Sequence, residues 1–471
     1  MTPRAAAVKP QVTIGAMRRS SRGGAAASLP RAWRGPASAP VATGRLRGLR
    51  SRHRARRAGG RLAFDSLPAP GGEDIARNLK IESIEVLGVG CELTGEHTFV
   101  RITTECGITG LGQSAGWGYP KGVAGVLQEL APLLVGADPF RIEHLWHLAY
   151  RARPFRGNIL SAAVSAIDLA LWDIKGKAVE LPVWELLGGR TRDRVRLHVL
   201  VGGGTPDEIV SSVNWAVEEG FTAVKFDPLV HGYEDLSMAQ LVSSACAMAA
   251  AAREAGGDEV DLIFELHRKL DPGSAIVVCN ALAAFRPLFI EDPIQIDSIE
   301  TQAELAKQIA SPIAMGERLS SIWEFSELLS HRVPILVRPD VGLAGGLSGC
   351  RKIAAIAEAH HCGVAPHNFL GPAHTAPTLH LCTAIPNLVT MEYLPLDEDK
   401  TSSSAAYDTT VVRNGGYCEV PDAPGLGIRL VDDYALVAPV IERPFSNEGL
   451  LRADGSVAAA NWASASVAAP N

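Results

Sequence analysis

The chain of 471 residues lacks several features that would place it quickly. No stretch approaches the ~18 consecutive apolar residues that a membrane-spanning helix needs, so no membrane is expected as a partner. The eight cysteines, at positions 91, 106, 246, 279, 350, 362, 382 and 418, form no Cys-x-x-Cys pair and no His-rich spacing. That argues against a cysteine-based metal framework. Scattered single thiols in a chain of this size read as buried groups in a reducing compartment, with the cytoplasm as the expected location. Acidic residues are missing from the first 64 positions, which hold fourteen Arg and Lys9, a charge of +15. The whole chain is −6, so residues 65–471 carry −21. A folded part this acidic makes nucleic acid an unexpected partner. The acid-free leader, almost all Ala, Arg, Gly, Pro and Ser, reads either as a start site assigned too far upstream or as an organelle transit segment. Arg18 and Arg19 are not followed by the apolar region of a twin-arginine signal. Residues 1–78 are therefore set outside the fold and expected to be disordered.

What is present is a chain with 47% hydrophobic residues, enough for one large α/β domain and a smaller one. Alternating segments at 81–87, 98–102 and 109–112 predict a small antiparallel meander. Helical spacing follows over 123–131, 142–151 and 159–179, closed by the stop signal Leu187-Gly188-Gly189. After Asp193 the texture changes. Eight short apolar runs, at 197–201, 223–227, 262–267, 288–292, 313–317, 335–340, 364–367 and 389–392, alternate with helical patterns. That rhythm predicts parallel βα units, and eight of them close a barrel.

Most of these runs end in an ionisable residue. Glu265, Glu291, Glu317, Asp340, His367 and Glu392 are 26, 26, 23, 27 and 25 residues apart, about one βα unit each. Each then sits at the C-terminal end of a successive strand, on the face where barrel active sites are built. Glu265, Glu291 and Glu317 would converge, and three anions at close quarters repel unless a cation sits among them. All-oxygen ligands suit Mg²⁺. The bland alternative pairs each glutamate with an arginine such as Arg318 or Arg338. His367 and Asp340 end neighbouring strands, so the carboxylate can orient the imidazole as a general base. Glu265 and His267 are two apart and face the same way, which offers His267 as a proton donor.

The stretches Phe289-Ile290-Glu291-Asp292-Pro293, Met315-Gly316-Glu317-Arg318, Arg338-Pro339-Asp340 with Gly345-Gly346, and Ala365-Pro366-His367-Asn368 resemble strand motifs of the mandelate racemase-like branch of the enolase superfamily. The segment Ala166-Ile167-Asp168-Leu169-Ala170-Leu171-Trp172-Asp173-Ile174-Lys175-Gly176 is similar to that family's helix leading into the barrel. Pro421-Asp422-Ala423-Pro424-Gly425-Leu426-Gly427-Ile428 resembles its C-terminal return. The resemblance implies an α/β fold, a modified (β/α)8 barrel with an α+β capping domain. The expected divisions are a basic extension 1–78, a cap 79–193, a barrel 194–398, a returning segment 399–455 and a tail 456–471. It implies Mg²⁺ on Glu265, Glu291 and Glu317, and a homo-oligomer.

The Glu265-x-His267 arrangement resembles the galactonate dehydratase-like subgroup. Racemases and cycloisomerases of the family carry Lys-x-Lys on the second strand, where this chain reads Lys225-Phe226-Asp227. One base with one acid suits dehydration, whereas two opposed bases suit racemisation. The expectation is a Mg²⁺-dependent dehydratase of a small-molecule sugar acid, with a racemase, epimerase or lactone cycloisomerase as the alternative. His367 would remove the C2 proton and His267 would protonate the departing C3 hydroxyl. Lys225 is expected either to contact the substrate carboxylate or ligand cluster or to pair with Asp227. Glu392 is expected to hydrogen-bond a substrate oxygen or to form a rim salt bridge. Trp117, Tyr119 and Arg156 fall where the family closes loops over the barrel mouth, unless they are ordinary surface residues. Arg268 stands where many relatives have glycine, either pairing with a distal carboxylate or narrowing the pocket. Asp227 and Arg318 complete the candidate substrate contacts.

Overall fold

The structure is a computed structural model that describes residues 79–332, 335–398, 403–409, 411–443 and 454–457. The expected extension 1–78 and all but two residues of the expected tail 456–471 lie outside the described residues. Strands β1 (Ile81–Cys91), β2 (Gly95–Thr104) and β3 (Thr109–Gln113) form the antiparallel meander. Helices α1 (Pro120–Leu134), α2 (Ile142–Tyr150) and α3 (Asn158–Ala178) follow it. In α3 apolar residues, many of them alanine, are buried on nearly every side, as expected of a helix packed all round.

Two buried carboxylates on α3 tie this layer to the rest of the molecule. Asp173 accepts from the backbone N–H of Leu111 on β3 and of Leu426 in the returning segment, at 3.1 and 2.9 Å. Asp168 accepts from Ser348 N at 3.0 Å. Ser348 lies in the first turn of α4 (Gly346–Ala359), where unpaired N–H groups favour an anion. Gly346 has φ +72°, and a Cβ there would come within 2.2 Å of the Asp168 carboxylate. The Gly345-Gly346 pair thus lets the two helices meet.

The remainder is the barrel. Strands β4 (Arg194–Leu200), β5 (Ala223–Phe226), β6 (Asp261–Glu265), β7 (Phe289–Glu291), β8 (Ile313–Met315) and β9 (Ile335–Val337) pair in parallel in that order. Val364 bridges to Val337 on one side and Leu388 on the other. Strand β10 (Met391–Tyr393) pairs back onto β4 and closes the ring. All eight apolar runs read from the sequence therefore enter the closed sheet. The seventh is reduced to a single bridging residue, because residues 365–368 turn out of the ladder into the loop before α5 (Pro372–Ala384).

Helix α5 is buried along almost its whole length and carries His380. Its Nδ1 accepts from Trp184 N at 3.1 Å, and burial pushes its pKa from the ordinary 6.5 down to about 4. Between these values the unfolded chain binds a proton that the folded one does not, so stability rises with pH across this window and is lost on acidification. His380→Asn keeps an acceptor for Trp184 but does not titrate. Wild type is expected to lose up to about 3 kcal/mol more than the variant between pH 6.5 and 4, measured by urea unfolding. Parallel pH slopes for the two chains would reject the assignment.

Candidate active site

Side chains alternate along a strand, so Ile263 and Glu265 share one face of β6, and Phe289 and Glu291 one face of β7. Ala365 and His367 are related in the same way. Ile263, Phe289, Ala314 and Ala365 form a small apolar cluster of their own. Such a layer fills a barrel interior, with the ionisable residues one layer nearer the C-terminal strand ends. Alternation from Ala314 would bring position 316, not 317, to that layer. Gly316 breaks the pattern with φ +123°, and a Cβ there would lie 2.6 Å from the Phe325 ring. The turn delivers Glu317 instead.

Glu265, Glu291 and Glu317 are buried and each offers an oxygen within 4.8 Å of the others. The pairing with cations anticipated as the bland alternative also forms. Lys225 Nζ lies 3.5 Å from Glu265 and 3.1 Å from Glu291, and also contacts Glu392. Arg338 Nε lies 2.5 Å from Glu291 Oε1, and its Nη2 is 2.5 Å from Glu392 Oε2. Arg268 Nη1 bridges Asp292 and Glu317 at 2.5 and 2.7 Å, and Arg318 stands 3.0 Å from Glu317. Five carboxylates thus face four cations in a buried cluster, a formal excess of one negative charge when all of them are ionised.

The titration of these acids reflects that crowding. Burial, opposed by Arg338 and reinforced by the charge of Glu265, holds Glu291 well above the usual carboxylate range. Burial also raises Asp292, to about 6. Glu317 goes the other way, because Arg318 and Arg268 outweigh its burial and hold it well below that range. Three converging oxygens, a surplus anion and a destabilised Glu291 fit a hard divalent cation. Oxygen ligands of Mg²⁺ sit at about 2.1 Å, so two on opposite sides of the ion are about 4.2 Å apart, close to the separation here.

Two His–Asp pairs flank the triad. His367 Nδ1 is 2.6 Å from Asp340 Oδ2, and its Nε2 is 3.4 Å from Glu317 Oε2. His267 Nδ1 is 2.7 Å from Asp227 Oδ2, the same oxygen that meets Lys269 Nζ at 2.6 Å. Burial works against a charge on His267, but Glu265 and the Asp227 hydrogen bond prevail and raise its pKa. His267 and Arg268 both hold positive φ, 48° and 62°, a strained backbone for residues with a Cβ. The third and seventh members of an eight-membered ring stand opposite each other, so the two imidazoles face across the mouth.

The ring opens on a cavity of about 310 Å³ lined by Lys225, Asp227, Glu265, His267, Glu317 and His367, among others. Arg268, Arg318 and Glu392 also reach it. Both oxygens of Glu392 are engaged within the protein, with Lys225, Arg338 and Asn368 N. Trp117 stands one layer back, 6.0 Å from Phe369 and 5.2 Å beneath the Arg318 guanidinium. Tyr119 and Arg156 are exposed and are not among the residues lining the cavity. Lys225 meets the glutamates rather than Asp227, whose partners are His267 and Lys269. Lys269 was not singled out from the sequence, although it continues the two-residue spacing of Glu265 and His267. His374 was also missed, since it lies on α5 and no strand-end register marks it.

Comparison with known proteins accords with this geometry. Residues 82–188 match the mandelate racemase / muconate lactonizing enzyme N-terminal domain, and residues 208–434 match the enolase C-terminal domain-like family. The chain belongs to the enolase superfamily. A D-galactonate dehydratase of Ralstonia nicotianae is 38% identical over 377 residues, 76% of this chain and 95% of that protein. An enolase from Agrobacterium radiobacter, solved with Na and L-malate bound, is 30% identical with a TM-score of 0.73, covering 81% of this chain and 100% of that one. A mandelate racemase/muconate lactonizing enzyme from Jannaschia sp. CCS1 is 31% identical with a TM-score of 0.71, covering 78% and 99%.

If the superfamily triad takes a divalent ion, Mg²⁺ should raise the melting temperature by mass action on the folded state. Glu291→Gln should weaken Mg²⁺ binding by at least about 10–100-fold in calorimetry. Unchanged affinity in that variant would remove the triad as the metal site.

Proposed function

We propose that this chain is a Mg²⁺-dependent sugar acid dehydratase, with Glu265, Glu291 and Glu317 as the metal ligands. The reading is carried by one observation: two carboxylate-oriented imidazoles face each other across a cavity whose wall includes Glu265 and Glu317 of the acid triad. When bound, the cation would offset the negative charge that develops on the substrate carboxylate as the neighbouring proton leaves. His367, with Nδ1 held by Asp340, takes the C2 proton on Nε2. The electron pair left at C2 becomes the C2–C3 double bond as the C3–O bond breaks. His267, with Nδ1 held by Asp227, donates from Nε2 to the departing oxygen, which leaves as water. The enol then tautomerises to a 2-keto-3-deoxy acid.

The likeness to D-galactonate dehydratases over most of the chain supports a hydroxylated acid as substrate. L-malate in the related Agrobacterium structure is also a hydroxy acid. Arg318 is proposed to meet a substrate oxygen at the wall of the cavity, with Trp117 as its backing. Lys225 and Glu392 hold the ligand cluster in register from beneath. A racemase would need a second free base on the His267 side, and Asp227 there is occupied by His267 and Lys269. The divisions at 79–193, 194–398 and 399–455 are proposed as cap, barrel and return, supported by the family matches at 82–188 and 208–434. Eight unpaired thiols support a cytoplasmic location.

The direct test is a library of aldonic and aldaric acids screened for keto-acid product. His367→Asn should lower turnover about 10²–10⁴-fold while Mg²⁺ stays bound. His267→Asn should lose keto-acid formation yet still exchange the C2 proton with deuterium from D₂O. Exchange or epimerisation by wild type without any keto acid would favour the isomerase reading. Near-normal turnover in His367→Asn would reject the base.

A further inference from the structure

Asp340 is gripped on both oxygens. Oδ2 accepts from His367 Nδ1 at 2.6 Å, while Oδ1 accepts from Gly342 N at 2.7 Å and lies 2.8 Å from His374 Nε2. His374 is completely buried on α5, and its other ring nitrogen, Nδ1, lies 2.9 Å from Asn368 Oδ1.

The protons on His374 follow from its neighbours. Asn368 Nδ2 lies 3.0 Å from the backbone oxygen of Glu392, an atom that only accepts. The same Nδ2 donates to Thr375 Oγ1 at 2.9 Å, and Thr375 in turn donates to Asp397. Reversing the Asn368 amide would aim its oxygen at the Glu392 oxygen, so the amide is fixed as it stands. Asn368 Oδ1 therefore faces His374 and accepts, and Nδ1 carries a proton. On the other side, Asp340 Oδ1 already accepts from Gly342. An oxygen that accepts from a backbone N–H meets Nε2 as an acceptor too, so Nε2 carries a proton as well. Turning the ring over would put carbon against both partners and lose both hydrogen bonds. The imidazole is a donor at both nitrogens.

We propose that His374, hydrogen-bonded at both ring nitrogens, is a positioning residue for the proton-abstracting pair, fixing the Asp340 carboxylate and through it the His367 ring. The role rests on the dehydratase reading given above. Its physical basis is that the terminal torsion of an aspartate is soft and broad, so a carboxylate held firmly at one oxygen only can swing. His374 and Gly342 close that freedom at Oδ1, and Oδ2 stays aimed at His367 Nδ1. A ring misplaced by about 1 Å costs about 10²-fold in rate, which is the loss such a clamp prevents.

The test uses the full chain loaded with Mg²⁺, as wild type, His374→Ala and His374→Gln. Glutamine can still donate an amide proton to Asp340. His374→Ala is expected to lower kcat about 10–100-fold, with KM for the sugar acid and Mg²⁺ affinity within about threefold of wild type. His374→Gln should recover most of that loss. The downfield His367 Nδ1–H proton should move in His374→Ala and return in His374→Gln. An unmoved His367 proton, or a glutamine variant as slow as the alanine one, would overturn the assignment. Absence of keto acid from wild type would sink the dehydratase reading, and the His367 proton signal would still decide for or against His374 as the clamp.

Discussion

Like charges gathered in a protein interior repel, and the mouth of this barrel is organised around that repulsion. Glu265, Glu291, Glu317, Asp292 and Glu392 are all buried, and no one of them could stay ionised there alone. Lys225, Arg268, Arg318 and Arg338 reduce the cost, yet the formal count still leaves one negative charge in excess. The imbalance has the sign that favours a cation. A divalent ion bound there would reverse the surplus and turn the pocket toward an anionic substrate.

The sequence made the barrel and the acid ring legible because both are periodic. A βα unit repeats at a nearly constant length, so the spacing from Glu265 to Glu392 carries three-dimensional information without knowledge of a single contact. The cation network was less readable. Arg338 lies inside the lumen because it is two residues beyond Leu336 on an inward-facing register, yet an arginine in a sequence is ordinarily read as surface. Arg268 was marked as unusual, but its embrace of Asp292 and Glu317 depends on a positive-φ turn that no pattern of residue types announces. The capping loops were over-read: aromatic and basic residues near the expected mouth, Tyr119 and Arg156, lie on the exposed surface, and only Trp117 backs a cavity residue. Loop conformation is set by local turns and by docking, neither of which leaves a period to detect.

The two His–Asp pairs look alike on paper but stand in different surroundings. Asp340 is fully buried and shared between two imidazoles, whereas Asp227 is partly open and shared between His267 and a lysine. About a quarter of the His267 side chain reaches the cavity, against 4% for His367. A group that must deliver a proton and then regain it benefits from a path to water. A base that must attack a weak carbon acid benefits from immobility and dry surroundings. The asymmetry fits elimination, in which the two ends of the reaction make different demands, better than racemisation, in which they are equivalent.

The same distinction explains why the cap is fastened where it is. The loop that carries Asp340 runs on through Gly342 and Gly345 to the start of α4, and the cap grips that loop at successive points. Ala115 N donates to Gly342 O, Gly345 N donates to Ser165 Oγ, and Trp146 Nε1 donates to Gly345 O, all at 2.9 Å. Asp168 completes the series at Ser348 N. None of these groups touches the cavity, and yet each constrains the backbone that aims Asp340 at His367. The opposite side of the same carboxylate is held by His374 from α5. The cap therefore has a part in the chemistry beyond covering the mouth. Under the proposed mechanism it is one jaw of the clamp on the base.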